Sequence, residues 1–317
     1  MSRPLTIIDH SCYLGHDTGG GLHPEVPGRV AAIHQRLKQG HLAPLMTLLE
    51  PKPLDRAKIL AVHDESYLFR LEEACLMGLT SIDHSDNQIS YESFDVALLS
   101  AAGGTTAIDL VENGEASAVF CSVRPPGHHA ERSTALGFCF LNNVAIAARY
   151  WQKTYGRQKI FIIDWDAHHG NGIQSAFEND PDVFYASIHE HPTFSFPGTG
   201  YADEHGHGPG VGTTLNVPLP PGAGDEMLLD AIQHKIAEAF AAFQPEALVV
   251  AAGFDGHRED DMSGLSYSTG VYEKVGTIMQ QWGQRCQGRV VSVLEGGYHL
   301  DALAASVEAY LTGFTGH

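Results

Sequence analysis

The chain has 317 residues, with 19 Lys or Arg and 38 Asp or Glu, so its net charge at pH 7 is −19 when the histidines are neutral. Its composition, 43% hydrophobic and 18% charged, excludes a disordered or fibrous protein. The excess of acid argues against a nucleic-acid partner, since nucleic-acid-binding surfaces need clustered Lys and Arg. A cationic substrate remains compatible with this charge.

Several features of the sequence indicate the cellular compartment of the protein. The N-terminus has no long apolar segment and no small-residue cleavage site, so we expect no secretory signal. No run approaches the ~20 apolar residues of a membrane-spanning helix. The five cysteines are scattered and form no Cys-x-x-Cys pair, which is typical of reduced thiols. We therefore predict a cytoplasmic protein without a membrane partner.

Apolar runs and helix-length segments alternate along the chain. Residues 83–93 are polar and predict a short surface loop. Helices are expected at residues 94–113, 143–154, 225–243 and 268–286. Buried strands are expected at residues 118–123, 160–163, 183–188, 247–252 and 290–294. Continuous apolar strands between helices indicate a mainly parallel sheet flanked by helices on both faces. We predict one α/β domain over residues 1–317.

Each predicted strand is followed by a loop rich in His, Asp, Tyr or Gly. These loops are residues 124–129, 164–172, 187–191, 253–255 and 295–298. The carboxyl ends of parallel strands lie along one edge of a sheet, which is where open α/β sheets bind their ligands. The sequence thus predicts an active site assembled from distant parts of the chain.

Asp164, Asp166 and His168 are spaced i, i+2, i+4 directly after a predicted strand. If the backbone stays extended, all three side chains point to the same side. Two carboxylates and an imidazole on one face favour a bound cation, because unpaired charges held close together are costly. Asp255, at the end of a neighbouring strand, is the natural further ligand. The alternative is that Asp164 and Asp166 only cap the helix expected near residues 170–177.

Two further loops carry side chains suited to proton transfer. His128 and His129 follow a Pro-Pro-Gly turn, and an imidazole titrates near neutral pH. Tyr298 follows two glycines, where a phenol can donate a hydrogen bond to a ligand. Taken alone, either feature is more often structural than catalytic, so its location carries the functional interpretation.

Four phenylalanines lie in loop-like, glycine-containing stretches near these motifs: Phe138, Phe140, Phe194 and Phe196. Such aromatic side chains could line a narrow apolar channel to the cation. The alternative is core packing, which we expect for two of the four.

Taken together, the motifs resemble the histone deacetylase superfamily, which includes acetylpolyamine amidohydrolases and acetoin-utilisation proteins. The matching segments are residues 23–29 (HPEVPGR), 124–129 (RPPGHH), 137–143 (GFCFLNN), 164–172 (DWDAHHGNG), 196–200 (FPGTG), 252–255 (AGFD) and 295–298 (EGGY). These segments occur in the same order as in the family, and their residues are most similar to those of class II deacetylases and bacterial amidohydrolases. The resemblance implies an arginase-like α/β fold and a zinc-dependent amidohydrolase.

The resemblance also implies roles for individual residues. Three positions match the zinc ligands: Asp166, His168 and Asp255. His129 matches the general base, His128 its companion histidine, and Tyr298 the phenol that stabilises the oxyanion. Asp164 matches the carboxylate behind His128. Asn171 falls where some relatives have an Asp behind His129, which should alter the basicity of that histidine.

Two further sets of positions follow from the resemblance. A structural K⁺ or Na⁺ ion is implied at Asp164, Asp166, His168, Ser187 and Ile188. The walls of an acyl-lysine tunnel are implied at Gly137, Phe138 and Phe196, with Met262 at the gatekeeper position. Polyamine-specific relatives can carry a Glu at that position, so Met262 favours an acyl-lysine-type substrate. Two features depart from the common family pattern: the stretch that follows Asp255, and the residue His299. Both departures affect the rim of the site.

We therefore predict a metal-dependent amidohydrolase that removes acetyl or longer acyl groups from acyl-lysine in a peptide or protein. Two carboxylates and one His make an oxygen-rich site, so Fe²⁺ or Co²⁺ is an alternative to Zn²⁺. An acetylpolyamine or other small acylated amine is the alternative substrate. A two-metal ureohydrolase and a catalytically inactive acyl-ligand-binding protein are further alternatives. The oligomeric state, monomer or homo-oligomer, stays open.

Overall fold

The computed structural model describes residues 5–20 and 22–316, so the ends of the predicted domain lie outside the described residues. An eight-stranded sheet has the order β2-β1-β5-β10-β9-β6-β7-β8, and its neighbouring strands are parallel. The strands are β1 Leu5–Ile8, β2 Met46–Leu49, β3 Ser81–Ile82, β4 His84–Gln88, β5 Ala118–Cys121, β6 Ile160–Asp164, β7 Val183–Glu190, β8 Thr214–Leu219, β9 Ala247–Ala252 and β10 Val290–Leu294. This arrangement confirms the predicted α/β fold with a parallel sheet.

Helices connect and cover the strands. They are α1 Gly28–Gln39, α2 Arg56–Ile59, α3 Glu65–Leu76, α4 Ser93–Glu112, α5 Asn143–Tyr155, α6 Asn171–Phe177, α7 Asp225–Asp230, α8 Ala237–Phe243, α9 Thr269–Arg285 and α10 Leu300–Thr315. A π-helical segment, Ala231–Ile236, joins α7 to α8. Short 3₁₀ helices occur at Ser11–Gly15, Ala43–Leu45 and Gly208–Gly210.

The central strands are buried along their whole length. Every residue of β5, β6, β9 and β10 is buried, as expected when helices cover both faces of a parallel sheet. Aromatic side chains fill one layer between sheet and helices: Phe161 stacks on Phe184 with ring centroids 4.9 Å apart, and Phe240 stacks on Trp282 at 4.5 Å. This packing fixes the position of the sheet edge where the loops begin.

Two secondary-structure predictions were wrong. Residues 83–93 do not form a loop throughout, because β4 pairs with β3 as a small antiparallel sheet and α4 already begins at Ser93. The polar Asn87 is buried there, and its amide donates to the carbonyl oxygens of Ile82 (3.3 Å) and Ala135 (2.7 Å). The helix expected over residues 225–243 is not continuously α-helical, since the π-helical segment interrupts it.

Helix α4 is also long and apolar enough, by length and composition alone, to cross a membrane, which the sequence analysis did not expect. An 18-residue stretch of this helix has a mean hydropathy of 1.4, and 78% of that stretch is buried inside the protein. A buried core helix passes the same test, so this finding is weak support for a membrane span. All five cysteines are free thiols, and only Cys12 is exposed among them.

Candidate active site

The site lies where β6, β9 and β10 end. These strands are adjacent, with β9 between β10 and β6, so the loops that follow them meet at one edge of the sheet. The β6 loop supplies Asp166 and His168, and the β9 loop supplies Asp255. Each of these three buried side chains offers one ligand atom, and these atoms lie within 4.8 Å of one another. They form a group that could hold a metal ion.

The chemistry of this group fits a divalent cation. His168 Nδ1 lies 3.2 Å from Asp166 Oδ1 and 2.8 Å from Asp255 Oδ2, so two carboxylate oxygens and one imidazole nitrogen converge. Burial, and then the neighbouring charge of Asp166, raise the pKa of Asp255 from 3.8 to about 7. Positive charge at this position would offset the repulsion between the carboxylates, and three such ligands leave a fourth position open for water or substrate.

A backbone carbonyl fixes the tautomer of His168. His168 Nε2 lies 3.1 Å from the oxygen of Met262, which can only accept a hydrogen bond, so Nε2 carries the proton. Nδ1 is then left to present its lone pair to a cation, and such a partner for the second ring nitrogen is typical of metal-binding histidines. Met262, predicted as a gatekeeper, therefore also contacts the metal-binding group through its main chain.

Asp164 does not join the three-residue group. Strand β6 ends at Asp164, so the extended conformation does not continue and the expectation of three side chains on one side was wrong. Asp164 Oδ2 instead lies 3.1 Å from His128 Nδ1 and accepts a hydrogen bond from Tyr185 Oη at 3.0 Å. Asp164 therefore contacts the His128 loop and is not one of the three residues of the metal-binding group.

His128 and His129 have adjacent rings, with centroids 3.9 Å apart, but opposite proton preferences. Burial lowers the pKa of His128, yet the carboxylates of Asp166 and Asp164 outweigh it and raise the pKa to about 10. Burial and the positive charges of His128 and His168 hold the pKa of His129 well below its ordinary value. The surroundings therefore favour the charged form of His128 and the neutral form of His129, a separation typical of acid–base sites.

Tyr298 lies on the loop after β10, and its backbone is anchored by a residue that the sequence analysis did not single out. Buried Asp260 accepts hydrogen bonds from the backbone N–H of Tyr298 (2.6 Å) and of His299 (3.0 Å). The half-buried phenol has a pKa well above its usual value, because removal from water disfavours the phenolate. It is therefore a hydrogen-bond donor at neutral pH. His299 caps α10, its Nδ1 accepting from Ala302 N.

Aromatic rings surround these polar groups. Phe196 packs edge-on against His129 with centroids 5.0 Å apart, and Phe138 packs edge-on against Tyr298 at 5.9 Å. Phe140 is part of the core and only 1% exposed, whereas Phe194 is 66% exposed. Core packing therefore applies to Phe140 and not to Phe194.

Gly137 lies between two of these rings. Its φ is +55°, and a Cβ atom built on it would lie 2.5 Å from His129 Cδ2 and 2.9 Å from Phe196 Cε1. Both the backbone conformation and the lack of space favour glycine at this position. This close packing of the wall thus depends on residue 137 being a glycine, which has no side chain.

A buried cluster of charges supports the Tyr298 loop from below. Arg29 donates from Nε to the carbonyl oxygen of Gly297 at 2.6 Å and from Nη2 to that of Glu295. Glu25 lies between Arg29 and Arg124, and all three side chains have no exposed surface. These three residues belong to the motifs at 23–29 and 124–129, but no role for them was predicted from the sequence.

Three of the five positions predicted for a monovalent cation, Asp164, Ser187 and Ile188, lie together where β6 pairs with β7, which we call the β6–β7 junction. Asp164 is paired in register with Ser187, and Ile188 is the next residue of β7. Ser187 Oγ lies 2.7 Å from His189 Nδ1. The structure brings these positions together with the His128 loop, and the ion itself stays a prediction.

A second compact group lies beside the first. His128, Cys139 and Glu295 also offer ligand atoms within 4.8 Å of one another, and all three are buried. Glu295 Oε2 accepts from the backbone N–H of Gly127 (2.7 Å) and His128 (3.0 Å), so it holds the histidine loop in place. We assign this group a structural part in the site.

Comparisons with known proteins agree with the fold and the motifs. Residues 23–314 match the histone deacetylase domain family. The chain is 38% identical to "Histone deacetylase 14, chloroplastic" of Arabidopsis thaliana, over 95% of this chain and 74% of that protein. It is 39% identical to a "Probable deacetylase" of Archaeoglobus fulgidus, over 93% and 81% of the two chains. It is 35% identical to "Polyamine deacetylase HDAC10" of Homo sapiens, over 89% and 43%.

A solved structure gives the same result. The crystal structure of the HDA15 HD domain superposes with a TM-score of 0.93 at 32% identity, covering all of this chain and 89% of that one. These similarities confirm the predicted family resemblance and the predicted arginase-like fold class.

Proposed function

Because the chain belongs to the histone deacetylase family, we propose that it is a metal-dependent amidohydrolase that removes acetyl or longer acyl groups from acyl-lysine-type substrates. Deacetylase relatives support a hydrolase. The observation that carries the finer proposal is the meeting of Asp166, His168 and Asp255 with His129 and Tyr298 at one sheet edge. Every group needed to activate water and to stabilise an oxyanion is then within one site.

The proposed metal is zinc, held by the three-residue group. When bound there, it supplies Lewis acidity that polarises an acyl carbonyl and lowers the pKa of water. The residues around it provide the remaining chemistry. We also propose K⁺ or Na⁺ at the β6–β7 junction.

His129 is the proposed general base. Its low pKa keeps the ring neutral, and its Nδ1 lies 2.8 Å from Asn171 Oδ1, an acceptor. The proton is therefore on Nδ1, which leaves the Nε2 lone pair to take a proton from the attacking water and return it to the departing amine. His128, held positive by Asp164 and Asp166, keeps its neighbour neutral by charge repulsion.

Tyr298 is the proposed oxyanion donor. Its phenol stays protonated at neutral pH, and the hydrogen bonds of Asp260 to the loop backbone hold it in place. A donor fixed before the reaction stabilises the developing negative charge without having to reorganise.

The walls of the site support the proposed substrate class. Phe138 and Phe196 suit the methylene chain of a lysine, and Met262 offers no carboxylate for a second ammonium group. An acetylpolyamine is the second candidate, because one relative is named a polyamine deacetylase and this chain has an excess of acid. We further propose that the enzyme acts in the cytoplasm.

The test is hydrolysis of a substrate panel by the purified protein, with and without a chelator. Acetyl-, trifluoroacetyl- and longer acyl-lysine peptides are compared with acetylspermidine and acetylputrescine, and Zn²⁺, Fe²⁺ or Co²⁺ is added back after chelation. We expect turnover of acyl-lysine that is lost with chelator and restored by metal. Turnover of polyamines alone would overturn the substrate proposal, and chelator-resistant turnover would overturn the metal.

A further inference from the structure

A chain of hydrogen bonds continues from His129 to a carboxylate outside the catalytic group. Asn171 Oδ1 lies 2.8 Å from His129 Nδ1, and Asn171 Nδ2 donates to Glu131 Oε1 at 2.8 Å. Asn171 is the first residue of α6 and is only 8% exposed. Glu131 is half-buried, and its backbone N–H donates to Thr134 O at 3.0 Å. The carboxylate is thus held at the far end of the Asn171 amide.

Glu131 decides which way the Asn171 amide points. The amide could in principle be turned over, exchanging its oxygen and nitrogen. A carboxylate at neutral pH only accepts hydrogen bonds, so the atom that faces Glu131 has to be the nitrogen. The other acceptor near this nitrogen is the carbonyl oxygen of His129, at a longer distance of 3.4 Å. Glu131 therefore provides the stronger restraint.

The orientation of the amide in turn decides the tautomer of His129. With the amide oxygen facing Nδ1, the proton lies on Nδ1 and Nε2 is free to act as a base. With the amide reversed, its nitrogen would donate to Nδ1, and the proton would move to Nε2. A catalytic histidine in the wrong tautomer cannot accept the proton from water.

We propose that Glu131 is a positioning residue that locks the Asn171 amide and thereby keeps His129 in its base-competent tautomer. The inference rests on the proposed function, in which His129 is the general base. Glu131 lines a surface cleft together with Asn171, Gln174 and Glu178. Glu131 lies outside the catalytic group and acts on His129 only through Asn171.

Two substitutions at Glu131 separate this role from simple packing. Glu131→Gln keeps the size of the side chain, but its amide can turn and donate as well as accept, so it no longer fixes the Asn171 amide and kcat should fall several-fold. Glu131→Ala removes the acceptor, and kcat should fall about tenfold, the lower end for loss of such a supporting contact, with KM unchanged. Glu178→Gln is the matched control, because Glu178 lines the same cleft and its carboxylate lies 3.6 Å from His207 instead. It should have wild-type kcat.

A second readout does not depend on turnover. ¹⁵N NMR of the zinc-loaded protein distinguishes a protonated from an unprotonated ring nitrogen, and comparison with His129→Ala assigns the signals of His129. We expect a protonated Nδ1 in the wild type, and a population protonated at Nε2 in both Glu131→Gln and Glu131→Ala. An unchanged tautomer in Glu131→Ala would overturn the proposal, even if no substrate in the panel were hydrolysed.

An exchange of charges provides a rescue test. Asn171→Asp places two carboxylates side by side, which should lower kcat. Adding Glu131→Gln supplies an amide N–H to the new carboxylate and should restore turnover. In the double variant, the charge beside Nδ1 raises the pKa of His129, so the acidic limb of kcat/KM should move to higher pH. Equal losses in the single and double variants would refute the hydrogen-bond chain.

Discussion

The Glu25→Gln substitution removes a carboxylate that lies between two buried guanidinium groups. Arg124 contacts it through Nη2 at 2.6 Å and through Nε at 2.9 Å, and Arg29 contacts it through Nη1 at 3.1 Å. None of the three side chains has exposed surface. A neutral Gln cannot balance two positive charges away from water, so we expect a large loss of stability.

The pKa of Glu25 gives the size of this loss. Burial alone would raise the pKa, but the charge and hydrogen bonds of Arg124, followed by the charge of Arg29, lower it from 4.5 to about 2. At about 1.4 kcal/mol per pH unit, ionised Glu25 stabilises the fold by about 3 kcal/mol. This agrees with the ~3–5 kcal/mol expected when one partner of a buried ion pair is removed.

The pH dependence has a definite sign. Because the pKa is lower in the folded state, the stabilisation is fully present above pH 4.5 and is lost as the pH falls towards 2. The difference in unfolding free energy between wild type and Glu25→Gln should therefore be about 3 kcal/mol at pH 7 and shrink steadily below pH 4.5.

Urea unfolding followed by tryptophan fluorescence, at several pH values between 7 and 3, measures this difference. Glu72→Gln is the control, since Glu72 pairs with Arg56 at 3.4 Å with both side chains 37% exposed. A surface pair of this kind contributes at most about 1 kcal/mol. A Glu25→Gln loss no larger than that of the control, or one independent of pH, would refute the electrostatic reasoning.

Three further substitutions test the site itself. Tyr298→Phe removes one oxyanion donor and should lower kcat by about 10²–10³ while zinc content, measured by mass spectrometry, stays at the wild-type value; near-normal turnover would exclude Tyr298 from the mechanism. Asp255→Ala removes a proposed ligand, so the purified protein should lose its metal, and retained stoichiometric zinc would contradict the assignment. Gly137→Ala places a methyl group against His129 and Phe196, so kcat/KM should fall at least about tenfold with metal content unchanged. Wild-type kinetics would show that these two side chains can move to accommodate the methyl group.

The sequence predicted the central strands well because their signal is simple. β9 and β10 have the predicted bounds, since an uninterrupted apolar run is what a strand buried on both faces requires. The edge strand β2 was missed, because its residues are largely exposed and give no such run. β4 was missed for a related reason: His84–Gln88 is polar, and it is stabilised by the contacts of buried Asn87 with distant carbonyl groups.

The loops of the site were located by the strands that precede them, but contacts within the site were harder to predict. The alternation expected of Asp164, Asp166 and His168 ended with the strand. Asp260 and Glu131 were not identified, because their partners are 38 and 40 residues away along the chain. Their roles depend on which loops the sheet brings together.

The strand order has a consequence for synthesis of the protein. β9 and β10 occupy the centre of the sheet, between β6 and β5, although they are the last strands in the chain. A nascent chain that has not yet reached residue 247 can form only the half-sheets β2-β1-β5 and β6-β7-β8, each with an unpaired inner edge that is prone to aggregation. During this stage, Asp166 and His168 lack the third residue of the metal-binding group, Asp255. Insertion of β9 and β10 closes the sheet, and the loop after β9 brings Asp255 to Asp166 and His168, so a half-made chain has neither a protected edge nor a complete metal-binding group.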